Sequence, residues 1–414
     1  MSEAGAAHNV QPPMSGGLAL YVHIPFCESK CPYCDFNTYA GIEPLMPSYV
    51  SALAREIEQW GAWLDRPTLA SVFFGGGTPS YLPPRDLRHP METIRTAFDL
   101  PDSAEATLEA NPGDCSVDRL LAMRRAGFNR ISIGVQSFDD AELAMLGRRH
   151  DAARAAEAVR GARGAGFENV SIDLMFGLPD QRVATWERSV EQAIRLGTDH
   201  LSAYALTLEP GTPLEADVRL GSTPEPDPDL AAEMYLLAQT MLAGAGLQQY
   251  EISNWARQGR ESTHNLAYWR SLPYLGVGPG AHSYLYGVGA LDRFGVRFAN
   301  VNPPRTYIGR VGTWQADGPL DTNTIATAAA TGLCEPVSRR DAMAETMMMG
   351  LRLNAGVADD AFRERFGEGI ADAFPAATAD CIDLGLLEWA SGALRLTERG
   401  RLLGNEAFSR FVAG

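Results

Sequence analysis

What this sequence is short of narrows its function first. Basic residues are outnumbered, 35 Lys and Arg against 51 Asp and Glu, so the formal net charge is -16 over 414 residues. A protein that grips a nucleic-acid backbone needs a basic face to displace counterions, and this balance argues against one. No nucleic-acid partner is expected. Long apolar runs are missing too: none approaches the ~20 residues of a membrane-spanning helix. Residues 1–17 (MSEAGAAHNVQPPMSGG) contain neither a basic n-region nor an apolar h-region, so they do not read as a secretory signal. They are expected to form a disordered tail, and the chain to be cytoplasmic. Cysteines number six. In a long chain without an export signal they do not read as a disulfide framework. Three of them, Cys27, Cys31 and Cys34, fall within eight residues, while Cys115, Cys334 and Cys381 are scattered. In a reducing compartment clustered thiols point to a metal site and isolated ones to packing.

What is present is the mix of an ordinary globular protein, 45% hydrophobic and 21% charged, able to bury a sizeable core. Short β-rich runs at 18–24, 71–74, 106–110, 130–135, 170–175 and 201–206 alternate with helix-patterned stretches at 47–64, 84–98, 117–126, 152–165, 184–196 and 228–245. Six βα units in series imply a parallel sheet flanked by helices. Both a partial (β/α)6 TIM-like barrel and a doubly wound sheet fit that pattern. The barrel would occupy 18–248. Residues 249–337, rich in Gly, Pro and aromatics, read as an irregular extension and connector. Residues 338–414 read as a small, mainly helical C-terminal domain with a winged-helix-like hairpin. That fold often binds DNA, but fold does not transfer function.

The chemistry-bearing motifs follow the strands. After the first comes YVHIPFCESKCPYC, a CxxxCxxC loop. Three thiolates on one loop can bind three irons of a [4Fe–4S] cubane and leave the fourth open to a small ligand. A structural zinc would want a fourth Cys or His, and chance clustering of core cysteines is the bland alternative. Tyr33 within the loop could stack on an adenine or simply pack. After the second strand, FGGGTPS (Gly76, Gly77, Thr78) lets backbone approach a ligand closely, although a tight βα turn needs the same residues. Glu109 (LEANP), Gln136 (GVQSF), Arg148 (LGRRH) and Asp173 (IDLMFGLPD) recur in or just after strands three to five. Any one alone would pass for a satisfied structural polar group. Together with the cysteines and glycines they share one explanation, a pocket at the C-terminal mouth of a parallel barrel, which tips the choice toward the barrel.

Taken together, these motifs and their order resemble the radical S-adenosylmethionine (SAM) superfamily, specifically its oxygen-independent coproporphyrinogen III oxidase-like family, over nearly the whole chain from Leu18 to LTERGRLL. The resemblance implies that Cys27, Cys31 and Cys34 ligate a [4Fe–4S] cluster, and that Tyr21, Gly76, Gly77, Thr78, Glu109, Gln136, Arg148 and Asp173 contact SAM. Two departures separate the branches. The coproporphyrinogen dehydrogenases carry a further cysteine two positions after the third ligand, where this chain has Phe36. It also contains HNLAYW at 264–269, which looks like the HNxxYW motif of the HemW haem chaperone branch. By that resemblance His264 is a haem ligand, with His282 (GPGAHSY) as a second candidate; read from the residues alone, a histidine among aromatics is as readily structural. The implied function is haem chaperoning, with delivery to haem-requiring proteins, membrane-bound respiratory enzymes among them, and no catalytic residue assigned. The alternative is oxidative decarboxylation of coproporphyrinogen III. A homodimer is compatible with either.

Overall fold

The protein was analysed as a computed structural model that describes residues 16–315 and 317–412. The expected tail, 1–17, therefore lies almost wholly outside the described residues. Strands β1 (Leu18–Ile24), β2 (Leu69–Gly76), β3 (Glu105–Ala110), β4 (Arg130–Gln136), β5 (Asn169–Phe176) and β6 (His200–Ala205) run parallel and side by side in chain order. A doubly wound sheet reverses its strand order at a switch point; from β1 to β6 this one never does. Instead all six strands contribute side chains to one cavity, the arrangement of an open partial barrel. The local signals that set the boundaries are ordinary ones. Helix Val117–Ala126, for example, starts at Ser116, whose hydroxyl accepts from the Arg119 N–H, and stops at Gly127, which takes the left-handed conformation at φ +107°.

Between 249 and 337 the chain is more regular than its composition suggests. β7 (Gln248–Glu251) and β8 (Asn254–Ala256) add antiparallel strands beyond β6. β9 (Tyr274–Val277) pairs parallel with β1, and β10 (His282–Leu285), β11 (Val296–Asn300) and β12 (Thr331–Pro336) extend that edge antiparallel. Twelve strands among the described residues form one sheet. These added strands are three to six residues long, too short for alternation to be distinguished from an aromatic-rich loop. Helix Thr263–Trp269, which carries the HNLAYW motif, joins none of the edges. It packs against β2.

The C-terminal segment folds helices around a three-stranded antiparallel sheet of β13 (Val357–Ala358), β14 (Leu387–Ala390) and β15 (Ala393–Leu396), in the order β13-β15-β14. Its apolar core includes Met343, Met347, Phe362, Phe366 and Phe408, and the same cluster takes in Tyr284 and Tyr286 from the β10 edge. Arg365 reaches back to the Ser271 carbonyl and the Tyr284 hydroxyl at 3.4 and 3.2 Å. Among the described residues no helix is long and apolar enough to cross a membrane.

Candidate functional site

The cavity inside the partial barrel measures about 610 Å³. At its mouth lies the cysteine loop. Cys27, Cys31 and Cys34 are half-buried, unlinked thiols on the cavity wall. Thr78 Oγ1 donates to Cys27 Sγ at 3.4 Å and Arg148 Nη1 to Cys31 Sγ at 3.5 Å. Burial pushes the Cys27 and Cys34 thiols up, so a metal must displace protons to bind there. Among the described residues no three His, Cys, Asp or Glu side chains are grouped as a single metal ion requires. A cubane makes a different demand, because each thiolate binds a different iron. Two glycines let the neighbouring turns pass this close. A Cβ on Gly77 would stand 2.7 Å from the Phe26 carbonyl and 3.1 Å from Cys27 Sγ; one on Gly147, at φ +64°, would stand 2.8 Å from Pro32 Cδ. The donor set and its cradle fit a [4Fe–4S] cluster. Phe36, at the position of the additional cysteine, is 63% exposed at the cavity rim.

Further in, alternate residues of each strand face the cavity, as the two-residue period of a strand requires. On β4 these are Arg130, Ser132, Gly134 and Gln136. Gln136 closes the strand at φ +67°, a strained conformation for a side chain of its kind, next to a break in register with β5. Arg148 donates from Nη2 to the Gly134 carbonyl at 2.8 Å, while its buried Nε has no partner. Asp173 accepts from Ser132 Oγ at 3.1 Å, and Glu109 accepts from the Gly76 N–H at 3.2 Å. Burial, then the Asp173 charge, raise the Glu109 carboxyl from 4.5 to about 8; burial raises Asp173 as well. Two buried carboxyls with few donors make a seat for a cation. Tyr21 lines the wall and its hydroxyl is bonded to His23 Nδ1 at 3.1 Å. Tyr33 packs against the small cluster of Leu146, Met175 and Leu178 while facing the same space.

His264 forms part of the floor. It is 1% exposed, stacked on Phe73 with ring centroids 5.0 Å apart, and both ring nitrogens are engaged: Nδ1 with Ser71 Oγ and Nε2 with the Tyr268 hydroxyl, each at 2.9 Å. Burial, with the Arg130 charge adding to it, lowers its pKa to about 3, so the ring is neutral. Glu105 fixes the helix that carries it, accepting from Ser262 Oγ and from the N–H groups of Thr263 and His264. His200 repeats the pattern across the floor, bonded to Ser171 Oγ and to the Tyr250 hydroxyl. Iron ligation by His264 would require its bond to Tyr268 to open. His282 is exposed at the start of β10 and does not line this cavity.

The structure thus brings Tyr21, the three cysteines, Tyr33, Gly76, Gly77, Thr78, Glu109, Gln136, Arg148, Asp173 and His264 onto one cavity. Sequence reasoning passed over Arg130, Ser132, Ser202 and Tyr204, which line it too. The two-residue period was the available signal: counting back from Gln136 along β4, and from Leu206 along β6, lands on all four.

Residues 21–193 match the radical SAM superfamily and residues 337–403 the HemN C-terminal domain. The chain is 38% identical over 394 residues to the haem chaperone HemW of Bacillus subtilis, covering 95% of this chain and 98% of that one. It is 36% identical over 402 residues to the HemW of Escherichia coli, covering 96% and 98%. The mouse mitochondrial radical S-adenosyl methionine domain-containing protein 1 is 41% identical over 353 residues, 84% of this chain and 76% of that one. Among solved structures, coproporphyrinogen III oxidase (HemN) from Escherichia coli superposes with a TM-score of 0.78 at 23% identity, over 95% of this chain and 90% of that one.

Proposed function

This chain belongs to the radical SAM superfamily and, within its coproporphyrinogen III oxidase-like branch, to the HemW family; from that premise we propose that it binds haem together with a SAM-ligated [4Fe–4S] cluster and passes haem to haem-requiring proteins. Cys27, Cys31 and Cys34 would hold the cluster, with Gly76, Gly77 and Thr78 beside the amino-acid end of SAM. When bound, the cluster supplies an electron that can cleave the sulfonium. The chain's own residues do the positioning. Arg148 offsets thiolate charge at Cys31, and its unpartnered Nε is free to take a carboxylate oxygen. Glu109 and Asp173 attract the cationic part of the ligand, Gln136 adapts to either polarity, and Tyr21 and Tyr33 supply apolar walls.

The observation that carries this reading is the convergence of three free thiols with the Glu109, Gln136, Arg148 and Asp173 row on one cavity, in a chain that is similar from end to end to haem chaperones. The test is an anaerobic haem titration of the cluster-reconstituted chain, run beside turnover with coproporphyrinogen III, SAM and a reductant. A saturable Soret change without protoporphyrinogen supports haem chaperoning. Product formation without haem binding would place the chain with the enzymes instead.

A further inference from the structure

At the floor of the barrel cavity stands a guanidinium that the fold leaves short of partners. Arg130 opens β4 and lines the cavity, yet it is only 2% exposed. Its ion-pair contact among the described residues is Glu105, with Nε 4.0 Å from the carboxylate, beyond hydrogen-bond length. That buried Nε has no partner. Glu105 is committed elsewhere: its oxygens accept from Ser262 Oγ and from the N–H groups of Thr263 and His264, which holds the motif helix in place. The other neighbours offset little of the Arg130 charge. His264 and His200 are neutral rings beside it, each pushed down by burial and then by the Arg130 charge. Further up the strands, burial raises the carboxyls of Glu109 and Asp173, Glu109 to about 8.

A buried cation without hydrogen-bonded counter-charge is unfavourable, and this one faces the space a ligand enters. Its surroundings select the ligand's chemistry. A guanidinium is a planar fork of donors matched to a carboxylate. Tyr21, Phe73, Tyr204 and Tyr268 share the cavity wall with it, so the carboxylate has to arrive on a body with apolar faces. Nor does Arg130 duplicate Arg148. Arg148 is bonded to the Gly134 carbonyl and to Cys31 Sγ, and Gly134 lies four residues along β4, about 13 Å at the usual rise of a strand. Arg130 is drawn the other way, toward Glu105 at the start of β3. We propose that Arg130 is a second carboxylate receptor of this cavity, taking at its floor the carboxylate of an organic ligand with an apolar body. Under the haem-handling reading, on which this choice of source rests, that group is a porphyrin propionate; the amino-acid carboxylate of SAM carries the same chemistry.

The experiment compares haemin with its dimethyl ester, and SAM with decarboxylated SAM, as ligands of the cluster-reconstituted full chain under anaerobic conditions. Within each pair the carboxylate is what changes, so the ratio of affinities reads that contact and cancels a general loosening of the fold. The parent is expected to prefer haemin to the ester. Arg130→Gln should shrink that preference about tenfold or more, by weakening haemin and sparing the ester, with the SAM ratio unchanged. Arg130→Lys, which keeps the charge but not the fork, should shrink it several-fold, and it carries the test if Arg130→Gln does not fold. A loss in the SAM ratio instead keeps the receptor and moves its source to SAM. A role confined to offsetting Glu105 weakens both members of each pair alike; both ratios unchanged would overturn the proposal while leaving haem handling intact. No haemin bound by the parent overturns haem handling, and the SAM ratio alone then decides for or against the receptor.

Discussion

The mouth and the floor of the barrel are lined by the same strands yet partner their polar groups differently, although Arg130 Nε and Thr107 Oγ1 lie unpartnered toward the floor. At the mouth three thiols stand unlinked, Arg148 Nε has no partner, and Glu109 and Asp173 face each other with few donors between them. At the floor Ser71 answers His264, Ser171 answers His200, Tyr268 and Tyr250 complete the two rings, and Glu105 satisfies the N-terminus of the motif helix. A buried polar group without a partner is unfavourable; where such groups accumulate beside a cavity, a ligand supplies what the fold leaves out. Where they are paired off, the residues hold the fold itself. The same residue types thus line the proposed binding site at one end and are held by paired hydrogen bonds at the other.

Mutations should separate the two ends. Replacing Cys27, Cys31 or Cys34 with Ala is expected to abolish cluster incorporation, read as loss of iron, of acid-labile sulfide and of visible absorbance, with little effect on the urea midpoint of the metal-free chain. His264→Ala should do the reverse. It removes a buried ring and strands Ser71 and Tyr268, for an expected loss of about 2–4 kcal/mol in urea unfolding, while the iron content per folded molecule stays near that of the parent. If His264→Ala proved neutral to stability, the structural reading of its paired bonds would fail.

The next contrast is in proton uptake. Glu109 is raised to about 8 in the folded chain, so it is largely protonated at neutral pH. A cationic ligand favours its ionised form. SAM affinity is therefore expected to rise with pH below about 8 and to level off above it, with a slope of at most ~tenfold per pH unit for one proton. The contribution of Glu109 to the stability of the ligand-free chain should fall as pH rises from 4.5 toward about 8, because the folded state holds a proton there that the unfolded state has released. Glu109→Gln should flatten the SAM profile and remove the Glu109 share of the stability loss, measured as the difference between the variant's and the parent's urea profiles; an unchanged SAM profile would remove Glu109 from the seat.

The smallest effect concerns strain. Gln136 sits at φ +67°, where glycine is at ease, so Gln136→Gly is expected to stabilise the chain by about 1 kcal/mol and to weaken SAM binding. Stabilisation without weakened binding would mean that the strain serves packing alone.

Much of this was legible along the chain because it depends on local periods. The strands alternate, the helices are capped where Ser116 and Gly127 say they should be, and the motif residues follow successive strands, so their convergence was readable once a parallel barrel was assumed. What misled was length. The strands added between 249 and 337 are too short to carry a pattern, and a stretch read as an irregular extension adds strands at both edges of the sheet. Arg130 and Ser132 lay within reach of the two-residue period counted back from Gln136; only their partners, Glu105 and Asp173 on neighbouring strands, leave no local signal.

The amino-acid order by itself determined the chemistry of the mouth, because CxxxCxxC on one loop and polar residues at strand ends meet wherever the strands lie parallel. Only the tertiary structure decided that His264, 193 residues from the serine it bonds, ends as a neutral, doubly bonded ring in the floor. Burial and partnering are properties of what lies across space, and a contact of that reach leaves no period in the sequence to read.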